Sequence, residues 1–195
     1  GTLYFFEGTH LVSTPFEGGA HHTLTAGFQP FTPISMSASL NGALIGFTVA
    51  DSQGFNLYTR GTDVDKSPQL LYRSARPAFG PILSHNADHA VIAVTDRQQH
   101  GETSLLAFPL TDDADQQTVR VLQEEDGMIR PVEFAPQADD SRLLAMTDLS
   151  GVIRPLVWDV VSGDRIDLPL EDIDGDLTPL GWDGNRILMM NVQRA

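Results

Sequence analysis

The sequence predicts an all-β protein built of repeated four-stranded antiparallel units, and three observations lead there. An apolar residue, any residue, proline and a second apolar residue recur four times, as Phe31-Thr32-Pro33-Ile34, Phe79-Gly80-Pro81-Ile82, Ile129-Arg130-Pro131-Val132 and Leu177-Thr178-Pro179-Leu180. Their prolines stand 48, 50 and 48 residues apart. Each copy is soon followed by a polar turn: Asn41-Gly42, Asn86-Ala87-Asp88, Gln137-Ala138-Asp139-Asp140 and Asp183-Gly184-Asn185. Between the copies lie short β-rich runs bounded by turn residues, and almost no stretch has the period of an amphipathic helix.

Within a unit, the proline-headed segment is the first strand. Asn-Gly and Asp-Gly pairs tolerate the positive φ of tight hairpins, so the polar stretch after it reads as a hairpin turn. Second strands are predicted at 43–49, 90–95, 143–147 and 187–192. Three of them close on an aspartate, Asp51, Asp96 and Asp148, whose carboxylates are expected to accept backbone N–H bonds in the next turn. Third strands follow at 55–59, 104–108 and 155–159, and shorter fourth strands at 69–72, 119–122 and 165–168. The first 26 residues read as the later strands of a preceding unit, at 3–6, 10–16 and 22–25, with a Gly18-Gly19 turn.

Four-stranded antiparallel units at this interval are the sequence signature of β-propeller blades. A sheet with two apolar faces cannot bury both alone, so such units stack around an axis, with the first strand of each lining a central channel. The predicted organisation is three complete blades (27–75, 76–125 and 126–173) flanked by two partial ones (1–26 and 174–195), all within one segment of a larger propeller. Phe47, Phe134, Trp158 and Trp182 are expected to fill the space between blades. Open strand edges on a segment of this kind favour self-association.

Composition narrows the chemistry. The chain has 195 residues, 41% hydrophobic and 19% charged, which suits a globular protein with a packed core. It has no cysteine, which removes disulfides, thiolate metal sites and thiol nucleophiles. Acidic residues outnumber basic ones by 26 to 12 for a net charge of −14, 19 of the acids are Asp, and Lys66 is the one lysine. A nucleic-acid partner is not expected, because neutralising phosphates needs a basic surface. No apolar run has the length of a membrane span, so no membrane partner is expected either. The compartment stays open, with the cytoplasm favoured.

Two sets of residues carry a family resemblance. The run Leu11-Val12-Ser13-Thr14-Pro15-Phe16-Glu17-Gly18-Gly19, with Leu24-Thr25, Pro33-Ile34-Ser35-Met36-Ser37, Asn41-Gly42 and Ile45-Gly46-Phe47, resembles the TolB-like propeller repeat. The tryptophan of that repeat is matched by Met36, Ser84, Phe134 and Trp182, so the last copy alone keeps it. Ser150-Gly151, Arg154-Pro155, Trp158-Asp159, Ser162-Gly163, the acidic stretch 172–176 and Gly181-Trp182-Asp183-Gly184 resemble the propeller of prolyl-oligopeptidase-type serine peptidases, particularly the acylaminoacyl-peptidase branch. The resemblance implies a domain that gates or filters peptide substrates for a separate α/β-hydrolase domain. A non-enzymatic, protein-binding TolB-like propeller is the alternative. No serine here has glycine at both flanking positions of a Gly-x-Ser-x-Gly elbow, so no catalytic residue is assigned within the chain.

The candidate site is Arg130 with Glu124 and Glu125. Thr32, Gly80 and Thr178 occupy the position of Arg130 in the other copies, so a cation at the head of a channel-lining strand is peculiar to this blade. Two readings stand: Arg130 binds a peptide terminus or carboxylate in the channel, or it pairs with Glu124, Glu125 and Asp126 just upstream. Other clusters read as ordinary structure. The aspartates of 172–176 mimic a calcium loop, but Leu177 replaces the glycine such a loop needs, so an acidic inter-strand loop is expected. His21 and His22 are adjacent and face opposite ways in a strand, and His85 and His89 flank a turn. Solvated turn histidines, no metal and no cofactor are the expectation.

Overall fold

The computed structural model describes residues 1–62, 66–95, 103–111 and 118–193. Among these, all regular structure is β. Five sheets follow one another along the chain, each a meander in which sequential strands pair antiparallel. The first comprises β1 (Thr2–Glu7), β2 (His10–Pro15) and β3 (His22–Thr23). The second comprises β4 (Thr32–Ala38), β5 (Leu44–Asp51), β6 (Gly54–Gly61) and β7 (Gln69–Ser74). The third holds β8 (Ala78–Leu83), β9 (His89–Val94), β10 (Ser104–Pro109) and β11 (Arg120–Gln123). The fourth holds β12 (Ile129–Phe134), β13 (Arg142–Thr147), β14 (Arg154–Asp159) and β15 (Arg165–Asp167), and the fifth β16 (Asp176–Asp183) and β17 (Arg186–Val192).

All four repeat prolines sit in first strands, and at each the pairing with the second strand slips. The register shifts between Pro33 and Ser35, Phe79 and Ile82, Pro131 and Glu133, and Pro179 and Gly181. Proline has no N–H to give to a ladder, so it is tolerated at an edge strand or a bulge, and here it occupies both. The four first strands lie side by side in chain order, β4 against β8, β8 against β12 and β12 against β16. The sheets therefore stack as blades, with the proline edges gathered together.

Stacking explains why the middle strands are apolar on both faces. In β9, Val91 and Ala93 belong to the cluster shared with Leu143, Ala145, Leu156 and Trp158 of the fourth sheet. Ile92 and Val94, pointing the other way, pack with Leu57 and Phe55 of the second. The same alternation divides β5: Ile45, Phe47 and Val49 meet Leu11 and Phe31, while Gly46 and Thr48 face β8. A Cβ on Gly46 would come within 2.5 Å of the Pro81 ring, so glycine there lets two blades approach closely. On that approach, the hydroxyls of Ser35 and Thr48 donate to the Gly80 carbonyl and that of Ser37 to the Pro81 carbonyl.

The hairpin turns after the first strands are linked from blade to blade. The Asn41 N–H donates to the His85 carbonyl at 3.1 Å, His85 Nδ1 lies 2.7 Å from the Pro136 carbonyl, and Gln137 Nε2 donates to the Gly184 carbonyl at 3.2 Å. His85 is thus half-buried and bonded to the next blade rather than freely solvated. Gly42 and Gly184 take positive φ in these turns, as their Asn-Gly and Asp-Gly sequences require, and in the second copy Ala87 adopts the same conformation (φ 64°).

Phe47, Phe134 and Trp158 are buried between blades; Trp182 is half-buried, with the Arg142 guanidinium 5.7 Å from its ring centre. Asp51 accepts the Gln53 N–H in the following turn and the Asn56 side-chain amide. Asp148 departs from its expected role: its Oδ1 accepts the Met128 N–H at 2.6 Å, across to the head of β12. Asp96 lies outside the described residues.

Candidate functional site

The gathered first strands enclose a cavity of about 620 Å³. Met36 of β4, Phe79 and Ile82 of β8, and Met128 and Pro131 around the start of β12 form its apolar walls, and Arg130 stands at its rim. Phe79 leaves 51% of its surface open, an unusual exposure for a ring in a strand of the inner edge. Three consecutive blades contribute, so the cavity exists only once they are stacked.

Most polar groups that line it are already committed. Ser35 and Ser37 spend their hydroxyl protons on the carbonyls of Gly80 and Pro81. Thr103 Oγ1 accepts the Ile129 N–H at 2.9 Å and donates to the Ile129 carbonyl at 2.5 Å. Arg130 is different. Its Nε donates to the Met128 thioether at 2.9 Å, a weak acceptor, and among the described residues no carboxylate pairs with the guanidinium. Of the two readings of Arg130 in the sequence, the ion pair with the neighbouring acids is therefore not what the structure contains.

Glu124 and Glu125, expected beside Arg130, do not line the cavity. Glu124 is buried, ion-paired with Arg165 Nη1 at 2.6 Å and hydrogen-bonded by the Thr147 hydroxyl. Arg165 also holds Asp167 at 2.7 Å, and its pKa is raised: burial alone would lower it, but its bonds to Asp167 and Glu124 outweigh that. Glu125 is exposed on the loop between β11 and β12. Glu124 therefore ties that loop to the outer strand β15 and is spent on structure. Its partner lies 41 residues away, and no local spacing signals it. Phe79 and Met36 were legible only as apolar positions of the repeat; that they face open space depends on the stacking.

A second cleft, of about 430 Å³, is bordered by Arg154, Arg165 and Glu171. Both arginines are engaged: Arg154 donates to the carbonyls of Gly175 at 2.6 Å and Ile173 at 3.0 Å. The acidic stretch 172–176 is thus clamped through its backbone to the fourth sheet, and Asp176 Oδ1 accepts the Ile153 N–H. Among the described residues no three carboxylate or imidazole groups converge as a metal site would need.

Against solved structures, the arrangement of sheets matches TolB of Agrobacterium tumefaciens with a TM-score of 0.65 at 14% identity, over 90% of this chain and 60% of that one. The fold is that of a β-propeller. TolB of Acinetobacter baumannii matches with a TM-score of 0.62 at 12% identity, over 94% of the chain and 43% of that protein. Puromycin hydrolase matches with a TM-score of 0.64 at 19% identity, over 86% of the chain and 28% of that enzyme. The chain thus spans less than two thirds of the length of each of these structures, from 60% of the first to 28% of the last. No protein-family profile matches the sequence, and no curated protein matches it either. The all-β, bladed architecture expected from the repeats is confirmed, with sheets arranged as in TolB and in part of puromycin hydrolase.

Proposed function

We propose that this chain forms part of the propeller of a prolyl-oligopeptidase-type serine peptidase, where it admits and holds peptides for an α/β-hydrolase domain that carries the nucleophile. The observation that carries the reading is the cavity among the first strands: apolar walls for side chains, with a guanidinium at the rim that no carboxylate of the described chain neutralises. A surface of this kind accepts an extended, uncharged stretch of peptide and leaves a cation for one anionic group. The likeness to puromycin hydrolase supports the peptidase context.

A likeness of equal strength to TolB supports the competing reading, a propeller that binds a protein partner and performs no chemistry. The experiment that separates them is the coding sequence beyond Ala195 together with fluorophosphonate labelling of the complete protein. A downstream Gly-x-Ser-x-Gly elbow followed by Asp and His, with covalent labelling of that serine, is the expected result. Further blades with no elbow, and no labelling, would overturn the peptidase reading in favour of the binding propeller.

A further inference from the structure

We infer that the cavity among β4, β8 and β12 recognises the free C-terminus of a peptide, with its carboxylate on the Nη1 and Nη2 groups of Arg130 and its last side chain against Phe79 and Ile82. This deepens the reading that the chain holds peptides, and rests on it.

Three observations converge. The hydroxyls of Ser35, Ser37 and Thr103 already donate to backbone carbonyls, so they have no proton to offer a ligand. Among the described residues Arg130 commits only its Nε, to a thioether, which leaves the two terminal amino groups that form a planar fork suited to a carboxylate. The walls beside that fork are apolar, and the Phe79 ring is half in the open.

A C-terminal residue carries a carboxylate and a side chain on the same carbon, which matches one cation set against an apolar wall. The net charge of −14 sharpens the choice. A polyanionic peptide is repelled by the protein as a whole, whereas a single carboxylate pairs with Arg130 at contact distance while acids beyond about 8 Å are largely screened at physiological salt, and the nearby Asp148 is engaged by the Met128 N–H. The preferred ligand is therefore an apolar peptide with one terminal negative charge.

The test uses the complete protein encoded by the gene, with any reactive serine blocked by a fluorophosphonate, and follows the fluorescence anisotropy of N-terminally labelled tripeptides. Gly-Ala-Leu as the free acid should bind about tenfold more tightly than its C-terminal amide, the size expected of a charge-assisted pair. Arg130→Ala should abolish that difference and Arg130→Lys keep part of it, while Phe79→Ser should weaken acid and amide alike. The ratio of acid to amide within one preparation does not depend on the fraction folded, so a destabilised variant still gives an answer. An unchanged ratio in Arg130→Ala would overturn the inference. So would equally tight binding of Gly-Asp-Leu amide, which would assign Arg130 to carboxylates in general. Absence of fluorophosphonate labelling, with the ratio intact, would remove the peptidase reading and leave the C-terminus site standing.

Discussion

The junction between the third and fourth sheets and the junction between the fourth and fifth are built from the same repeat, yet they are held in different ways. In the former, the middle strands β9 and β10 face β13 and β14, and Val91, Ala93, Leu105 and Ala107 interlock with Leu143, Ala145, Leu156 and Trp158. In the latter, β16 packs against β12, β13 and β14. Polar contacts reach across it: the Trp182 N–H on the Glu133 carboxylate, Arg142 over the Trp182 ring, and Arg154 on the carbonyls of Ile173 and Gly175. Apolar packing holds a junction by buried area and shape, whereas these polar contacts are directional and fix how β16 is seated on its neighbour.

The comparison breaks first at its apolar side. Trp158 is 1% exposed, and Trp158→Ala should cost roughly 3–5 kcal/mol by the lost transfer energy and the cavity left behind. The urea midpoint of the complete protein reads it; a loss under about 1 kcal/mol would mean that the junction repacks and does not depend on this ring. On the polar side the effect is smaller. Glu133→Ala leaves the Trp182 N–H without its acceptor and should cost about 1–3 kcal/mol, with a shift in Trp182 fluorescence before global unfolding, since β16 loosens first. Simultaneous loss of both tryptophan signals at an unchanged midpoint would show that the polar clamp contributes nothing.

The smallest expected effect is pH-dependent. Burial alone would raise the pKa of Asp159, but the backbone N–H groups of Ser162 and Val161 and the Ser141 hydroxyl together hold it below the usual carboxylate value. With the folded pKa depressed, the unfolded chain takes up the proton first. The contribution of Asp159 is therefore intact above about pH 4 and is lost as pH falls through the folded value. Asp159→Asn should flatten the acid limb of the stability curve below that pH. An equally steep limb would assign the acid sensitivity to other carboxylates, among them Asp140, held low chiefly by its side-chain bonds to Arg142.

Equivalent positions in the repeat did not all take equivalent roles, and the exceptions mark where sequence reasoning ends. Asp51 caps its own turn, as its place before a hairpin suggests, because an Asx bond spans two residues and is decided locally. Asp148, at the matching position, instead bonds the Met128 N–H, because β12 begins beside it once the sheet has formed. Arg130 was legible as the odd residue of its repeat position. That Glu124 would turn away from it to Arg165 was not, since that pair joins the inner loop of a blade to its outer strand.

The sequence by itself determined the strands, the turns and the bladed plan: proline edges, Asn-Gly hairpins and doubly apolar middle strands are each short-range patterns read within a few residues. Stacking decided the rest. Which face of β9 meets which neighbour and the open face of Phe79 depend on contacts between residues some 35 to 65 positions apart, and so does the lack, among the described residues, of a carboxylate paired with Arg130. A one-dimensional repeat specifies how each blade is made, but the cavity is a property of the space between three of them.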